Sequence, residues 1–350
     1  MPYDGPTIAL SQEPRFLITR LSAVGDCVHT IPLVHALRDR FPNCYIVWAT
    51  QGGPATLLEG VPGIDALLRV PRDWMKSPLA WWRIRRQLRA MRIDVAIDPQ
   101  SLSKSSMLGW RSGARHRVGF ERPQGRELSL LTNRLRIDPT TEHVLDRYLE
   151  LLRPLGIQHP AVRFDMPDSN EEAVSTFLAA SGLEPTSGFA VVNPGAGWPS
   201  KVWPAERYGV VAAHLGAAHQ IRSVVTWAGD DELEMAQSIC DAADGFAILA
   251  EPTSLTELRS LVRRATLFVG SDTGPMHLAV AVGTPCVSIY GPTSPARCGP
   301  YGPGHVALHV PVESNQKLRS DDNSAMLKIE TRDVIDACDK TLAAINRHAA

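Results

Sequence analysis

The chain lacks the marks of a metal- or disulfide-built protein. Its 350 residues hold six cysteines, Cys27, Cys44, Cys240, Cys286, Cys298 and Cys338, with no C-x-x-C pair and no ligand spacing. That argues against a structural zinc and a disulfide scaffold. It suits a reducing compartment, with thiols acting as small core residues. No run approaches ~18 uninterrupted apolar residues, so no membrane span is expected. The opening Met1-Pro-Tyr-Asp-Gly-Pro6 has neither a basic n-region nor a long apolar core, so no signal peptide is expected. G-x-G-x-x-G after a strand, G-x-x-x-x-G-K-[ST] and G-x-S-x-G are all missing, which speaks against a dinucleotide dehydrogenase, a P-loop phosphotransferase and a serine hydrolase. An Asp-x-Asp pair, the usual anchor for a metal-bound diphosphate in one large class of sugar transferases, is missing too. Chemistry without a metal or other cofactor is therefore expected. There is no short-period repeat and no low-complexity tract.

What is present is ordinary in sum and uneven in distribution. Hydrophobic residues make up 44%, charged residues 21%, and the net charge is −1. Between Arg72 and Arg136, however, 15 Lys+Arg face 5 Asp+Glu, an excess of ten that leaves −11 for the remainder. One face of the first half is expected to meet something anionic: nucleic acid, an anionic lipid surface or a phosphorylated substrate. The alternative is a solvated basic face. At this length two domains are comfortable, each able to bury a core.

The hydrophobic pattern alternates strand and helix. Strands are expected at Phe16–Thr19, Cys44–Ala49 and Asp94–Asp98, with helices from Cys27 to Phe41 and over 79–91. After a polar connection near 165–188 the rhythm restarts. Strands fall at Phe189–Val192, Ser223–Trp227, Phe246–Leu249, Thr266–Val269 and Cys286–Tyr290. Helices fall at Pro204–Ala217, Asp231–Ala242, Ser254–Arg264, Met276–Val282 and Thr331–Arg347. This is an α/β chain of two doubly wound parallel sheets, whose ligands sit at the carboxyl ends of strands.

Several strand ends carry chemistry. Gly270-Ser-Asp-Thr-Gly-Pro-Met-His277 reads as strand, turn and helix. Ser271, Asp272 and Thr273 suit an N-cap, Pro275 the first turn, and Gly274 a close ligand approach. Free N–H groups and the helix dipole there favour a phosphate, although a plainly capped helix fits as well. Asn193-Pro-Gly-Ala-Gly-Trp-Pro-Ser-Lys201 offers close approach at Gly195 and a cation, Lys201, for a diphosphate leaving group. Ala228-Gly-Asp-Asp-Glu-Leu-Glu234 offers an acid for ribose hydroxyls or, equally, acids at a helix start. Asp26 is either a general base or a helix-start acid. Asp98-Pro-Gln-Ser-Leu-Ser-Lys104 sets an acid, an amide and a cation together. His29 and His35, six apart, are poorly placed to share a metal. Trp81 and Trp82 among Arg83, Arg85, Arg86 and Arg89 suit either a membrane interface or core packing with snorkelling arginines.

The pattern as a set resembles glycosyltransferase family 9, the ADP-heptose lipopolysaccharide heptosyltransferases. The matching segments are Ser22-Ala-Val-Gly-Asp-Cys-Val-His-Thr30 with Pro32, Ile97–Ser105, Asn193-Pro-Gly-Ala196, Lys201-Val-Trp-Pro204, Ser271–Leu278 and Tyr290-Gly-Pro-Thr293. The resemblance implies a GT-B fold, two Rossmann-like domains facing across a cleft: an acceptor domain over 1–168, a nucleotide-sugar domain over 185–330, and a helix over 331–350 returning to the first. It implies inverting transfer of heptose from ADP-heptose to a Kdo-containing lipid A inner core. By this resemblance Asp26 is the base and Lys201 acts at the diphosphate. Asn193, Gly195, Asp272, Thr273, Gly274 and His277 lie on the donor side, with Glu232 or Glu234 at the ribose. Lys104, Gln100 and Arg117 lie on the acceptor side. Neither nucleic acid nor a metal is implied. The implied setting is cytoplasmic, peripheral to the inner membrane surface. Two departures stand out. The family's Asp-Ala-Gln-Gly loop is Asp98-Pro-Gln-Ser101 here, and Gly-Trp-Pro-Ser precedes Lys201 where relatives carry more polar residues. Rival readings are another nucleotide sugar and acceptor, a nucleotide-sugar epimerase, or a non-catalytic binder.

Overall fold

The computed structural model describes residues 5–168, 171–183, 188–311 and 321–349. The chain divides into two units, Met1–Pro167 and Asp168–Ala350. The expected connection near 165–188 falls partly outside the described residues; within it, Glu172–Ala180 is a helix of the second unit.

The first unit carries strands β1 (Arg15–Thr19), β2 (Tyr45–Thr50), β3 (Ala66–Arg69), β4 (Val95–Ile97), β5 (His116–Phe120) and β6 (Leu135–Ile137). All pair in parallel, in the order β3-β2-β1-β4-β5-β6. The second unit carries β7 (Phe189–Asn193), β8 (Arg222–Val225), β9 (Ala247–Leu249), β10 (Leu267–Ser271), β11 (Cys286–Tyr290) and β12 (Val306–His309). These are parallel as well, in the order β12-β11-β10-β7-β8-β9. Read from its own first strand, each sheet has the same order. The chain reverses direction across the sheet between β1 and β4 and again between β7 and β10. At such switch points the loops leaving adjacent strands part and open a crevice. Central strands are covered on both faces, so they read as unbroken apolar runs: Phe16, Leu17, Ile18, Ala190, Val191 and Val192 are fully buried.

Four strands escaped the sequence pattern. β3, β6 and β12 are short edge strands. β5 opens with His116-Arg117, whose polarity breaks the apolar run. The expected helix over 79–91 is Pro78–Ala90, started by Ser77, whose Oγ accepts the Ala80 N–H at 3.2 Å. It buries Ile84 and Leu88. Its two tryptophans differ in exposure. Trp81 packs against Trp74 (ring centroids 5.3 Å apart) under the Arg111 guanidinium, whereas Trp82 is 57% exposed.

The closing helix, Thr331–Ala349, was expected to return to the first domain. Its observed packing is on helix Ala205–His219, β11 and β12 of its own unit, where Val334, Cys338 and Leu342 join Val211 and Leu215 in the core. Trp203, from Lys201-Val-Trp-Pro204, sits fully buried in that core. Its indole N–H donates to Ile329 O at 3.0 Å and its ring meets Tyr208 edge-on.

Candidate active site

In the second unit the loop leaving β7 and the turn leaving β10 are joined by Asp272. Its carboxylate is 7% exposed and takes Lys201 Nζ at 2.6 Å on Oδ2 and His277 Nε2 at 3.3 Å on Oδ1. The Cys298 thiol lies 3.6 Å from Oδ2. Burial would push the Asp272 carboxyl up, but His277 and Lys201 outweigh it and hold the group well below the usual carboxylate range. Asp272 therefore faces the Lys201 ammonium and the His277 imidazole. It positions Lys201 and His277, which corrects its reading as a helix cap. Ser271 is no cap either: it ends β10, its hydroxyl 3.1 Å from the Tyr208 hydroxyl.

Thr273 occupies the N-cap position of helix Gly274–Ala281 without a side-chain capping bond. Its Oγ1 turns to Ser271 O at 3.3 Å and Asn193 Oδ1 at 3.5 Å. Asn193, nearly buried, donates from Nδ2 to Thr226 Oγ1 at 3.0 Å, so its side chain ties the ends of β7, β8 and β10 together. A close approach at Gly195 is real but comes from inside the protein. A Cβ there would stand 2.3–2.5 Å from the Glu232 carboxylate, so glycine leaves that carboxylate its place beside the β7 loop. Glu232 accepts the Ala228 N–H at 2.9 Å, and half-burial raises its carboxyl against that bond. Glu234 is exposed on the same helix. Of the two acids, Glu232 is the one lodged among the strand-end loops.

In the first unit the loop leaving β1 presents Asp26 on the first turn of helix Val24–Arg40. Both readings of Asp26 have a geometric counterpart. Oδ2 accepts the Ala23 N–H at 3.3 Å, as a helix-start acid does, yet the side chain stays 40% exposed. Buried Arg20 pairs with Oδ2, and the Tyr148 hydroxyl donates to Oδ1 at 3.2 Å. Burial alone would lower the Arg20 pKa; Asp26, with Tyr148 and Cys27, more than reverses that. A carboxylate fixed from behind by two buried groups and open in front is oriented for proton transfer.

The β4 loop is built around Asp98, which is buried and accepts from Thr19 Oγ1 (3.2 Å), the Ser101 N–H (2.9 Å) and Asn133 Nδ2 (3.0 Å). Burial raises its carboxyl against those donors. A Cβ on Gly119 would meet Asn133 Nδ2 at 2.2 Å, so that glycine makes room for the amide. Ser101 takes φ +49°, the left-handed region, at the position where the family pattern has glycine. Its hydroxyl donates to Asp98 O at 2.8 Å and accepts the Phe120 N–H at 3.0 Å.

The acceptor-side residues separate. Lys104 is exposed on helix Ser103–Ser112. Gln100 Oε1 accepts the Leu21 N–H at 2.8 Å, binding the β4 loop to the β1 loop. Arg117 is 8% exposed and donates to Thr132 O at 2.6 Å and Ala114 O at 2.8 Å. Two of its guanidinium donors, Nε and Nη1, are thus taken by backbone carbonyls of its own unit. Arg20, Tyr148, Thr19, Asn133 and Cys298 received no role from the sequence. Arg20, directly after an apolar strand, had a local signal. Tyr148 and Asn133 reach the site from distant segments and had none.

Two doubly wound parallel sheets, each with Rossmann strand order and polar strand-end loops, are the architecture of the GT-B fold. A family model described as glycosyltransferase family 9 (heptosyltransferase) matches residues 81–328, and the chain belongs to that family. It is an enzyme of glycosyl transfer. It is 26% identical over 313 residues to the lipopolysaccharide core heptosyltransferase of Haemophilus influenzae, with 88% of each chain covered. It is 27% identical over 318 residues to lipopolysaccharide heptosyltransferase 1 of Escherichia coli, covering 87% of this chain and 97% of that one. A family 9 glycosyltransferase structure from Veillonella parvula superposes with a TM-score of 0.84 at 27% identity, covering 97% of this chain and 99% of that chain.

Proposed function

We propose that the protein transfers heptose from ADP-heptose, with inversion, to the Kdo-containing lipid A inner core. The observation that carries this reading is the Lys201–Asp272–His277 cluster beside the open first turn of helix Gly274–Ala281, at the β7/β10 switch point. The diphosphate binds with its oxygens toward the Gly274 N–H and the positive end of the helix it opens, Pro275 having no N–H to offer. Lys201 leaves Asp272 to neutralise the charge that grows on the departing nucleotide. Glu232 holds the ribose hydroxyls. In the first unit Asp26 takes the proton from the acceptor hydroxyl as that oxygen attacks the anomeric carbon, while the bond from that carbon to the diphosphate breaks with the electron pair leaving on ADP. The names of the relatives support the sugar and the acceptor class.

The acceptor side carries Lys104. A groove of about 420 Å³, lined by Lys76, Trp81, Trp82, Arg85 and Arg111 among others, supports contact with an anionic membrane surface. No helix among the described residues is long and apolar enough to cross a membrane. In this reading the enzyme works at the cytoplasmic face of the inner membrane, held from the surface.

The test is transfer from ADP-heptose to Kdo-lipid A, read by mass spectrometry, with Asp26→Ala beside the wild type. A gain of one heptose mass with the wild type alone is expected. A folded wild type that adds no heptose, but adds another sugar from a panel of nucleotide sugars, would overturn the substrate reading.

A further inference from the structure

On the far side of helix Ala205–His219 from its start at the Lys201 loop, two imidazoles converge on one carboxylate. His214 Nε2 and His219 Nε2 lie 2.8 and 2.7 Å from the same Asp339 Oδ1, and the three ligand atoms fall within 4.8 Å of one another. No other described trio of His, Cys, Asp or Glu does this. His214 and His219 are five residues apart, a spacing that a straight helix does not bring to one face. They meet because His219 is the last helical residue and Gln220 turns into the left-handed region at φ +59°. The rings stand nearly edge-on, with centroids 5.7 Å apart. Asp339 comes from the closing helix Thr331–Ala349.

We propose that His214, His219 and Asp339 form a site for a divalent transition metal of the zinc class, which staples the closing helix to helix Ala205–His219. Two imidazole nitrogens and one carboxylate oxygen are a borderline-soft donor set, and three protein ligands leave a fourth, water-filled position. Metal bonds of about 2.0–2.2 Å set tetrahedral ligand atoms a little over 3 Å apart. The imidazoles therefore back off from Asp339 by about half an ångström, with each ring proton on Nδ1 and the Nε2 lone pair toward the metal. Side chains that are 28%, 30% and 41% exposed have that freedom, and the metal has a way in. Metal binding needs the two imidazoles neutral and the carboxylate ionised, so uptake releases protons and weakens as pH falls. The neighbouring Cys338 thiol is buried in the hydrophobic core and stays outside the set. The staple closes on a helix that begins directly after Pro204, so metal binding stiffens the element from which the Lys201 loop departs.

Cobalt(II) and zinc are the probes, on the full chain. Wild type is expected to bind one equivalent of cobalt with four-coordinate visible absorption and without the near-ultraviolet thiolate band that a cysteine site would give. Zinc at about 100 times its Kd is expected to raise the unfolding temperature by about 5–10 °C. His214→Gln and Asp339→Asn should each weaken binding by more than the ~100-fold of an outer-shell change, while melting within a few degrees of wild type in chelator. Binding unchanged in both variants, a spectrum dominated by the thiolate band, or no cobalt uptake by wild type would each overturn the site.

Discussion

The two units have one strand order and opposite strand-end chemistry. In the first, the loops after β1 and β4 carry carboxylates, Asp26 and Asp98, and the groups around them are there to hold those carboxylates still. In the second, the loops after β7 and β10 carry a cation and a nearly uncapped helix start, and the carboxylate among them, Asp272, serves the cation. A parallel doubly wound sheet fixes where a ligand binds, not what it is. In the function proposed above, one copy of the scaffold accepts a proton and the other a phosphate.

Breaking the first half of that contrast should give the largest effect. Asp26→Asn keeps the size and most hydrogen bonds of the side chain but removes its basicity. Transfer should fall by ~10²–10⁴, with the donor affinity measured by calorimetry unchanged. A matching loss of donor affinity would mean that Asp26 is only a helix-start acid. Lys201→Ala attacks the other half. The expected loss in turnover is ~10²–10³, comparable to removing one transition-state donor, and here donor affinity should fall as well. An effect confined to the acceptor would sink the diphosphate role.

Asp272→Asn sharpens the contrast through pH. Because the Asp272 carboxyl is held below its usual value, its contribution to stability is complete above the unfolded pKa of about 3.9 and is lost as pH falls through the depressed folded value. The variant should be about 3 kcal/mol less stable near neutral pH, as when one partner of a buried pair is removed. In denaturant melts that deficit should shrink only in strongly acidic buffer. A deficit that vanishes by pH 6 would place its origin elsewhere. Gly195→Ala is a smaller probe. The added Cβ must displace the Glu232 carboxylate, so KM for the donor should rise about tenfold, roughly 1.4 kcal/mol. In a Glu232→Ala background the same change should cost far less.

How much of this was legible in the sequence follows from what kind of signal each part leaves. Central strands such as Phe189–Asn193 announce themselves because burial on both faces demands apolar runs. β5 does not, because Arg117 satisfies its guanidinium on carbonyls inside the fold and breaks the run. Asp26, Lys201 and Gly195 stand in strand-to-helix turns, where local chemistry is readable. Their partners are not local. Tyr148 is 122 residues from Asp26, and Asp272 is 71 from Lys201. Motif reading therefore finds the positions but not the partners. Asp272, read as a cap, stands one residue before the N-cap and holds the lysine. Arg117 bonds two backbone carbonyls that no motif points to.

Ser101 tests the smallest term, the backbone itself. The second unit uses glycine where its loops crowd, at Gly195, whereas the first unit puts serine at a left-handed φ of +49°. A non-glycine residue there costs about 1–2 kcal/mol, which the two hydroxyl bonds, to Asp98 O and from the Phe120 N–H, offset at ~0.5–1.5 kcal/mol each. Ser101→Ala keeps the strain and loses both bonds, so unfolding free energy should drop by about 1–3 kcal/mol. Ser101→Gly loses the same bonds but also the strain, and should come out about 1 kcal/mol more stable than the alanine variant despite its greater unfolded-state entropy. If glycine is the worse of the two, the strain at Ser101 is not what its hydroxyl offsets. The serine would then have to be explained by the Phe120 N–H alone.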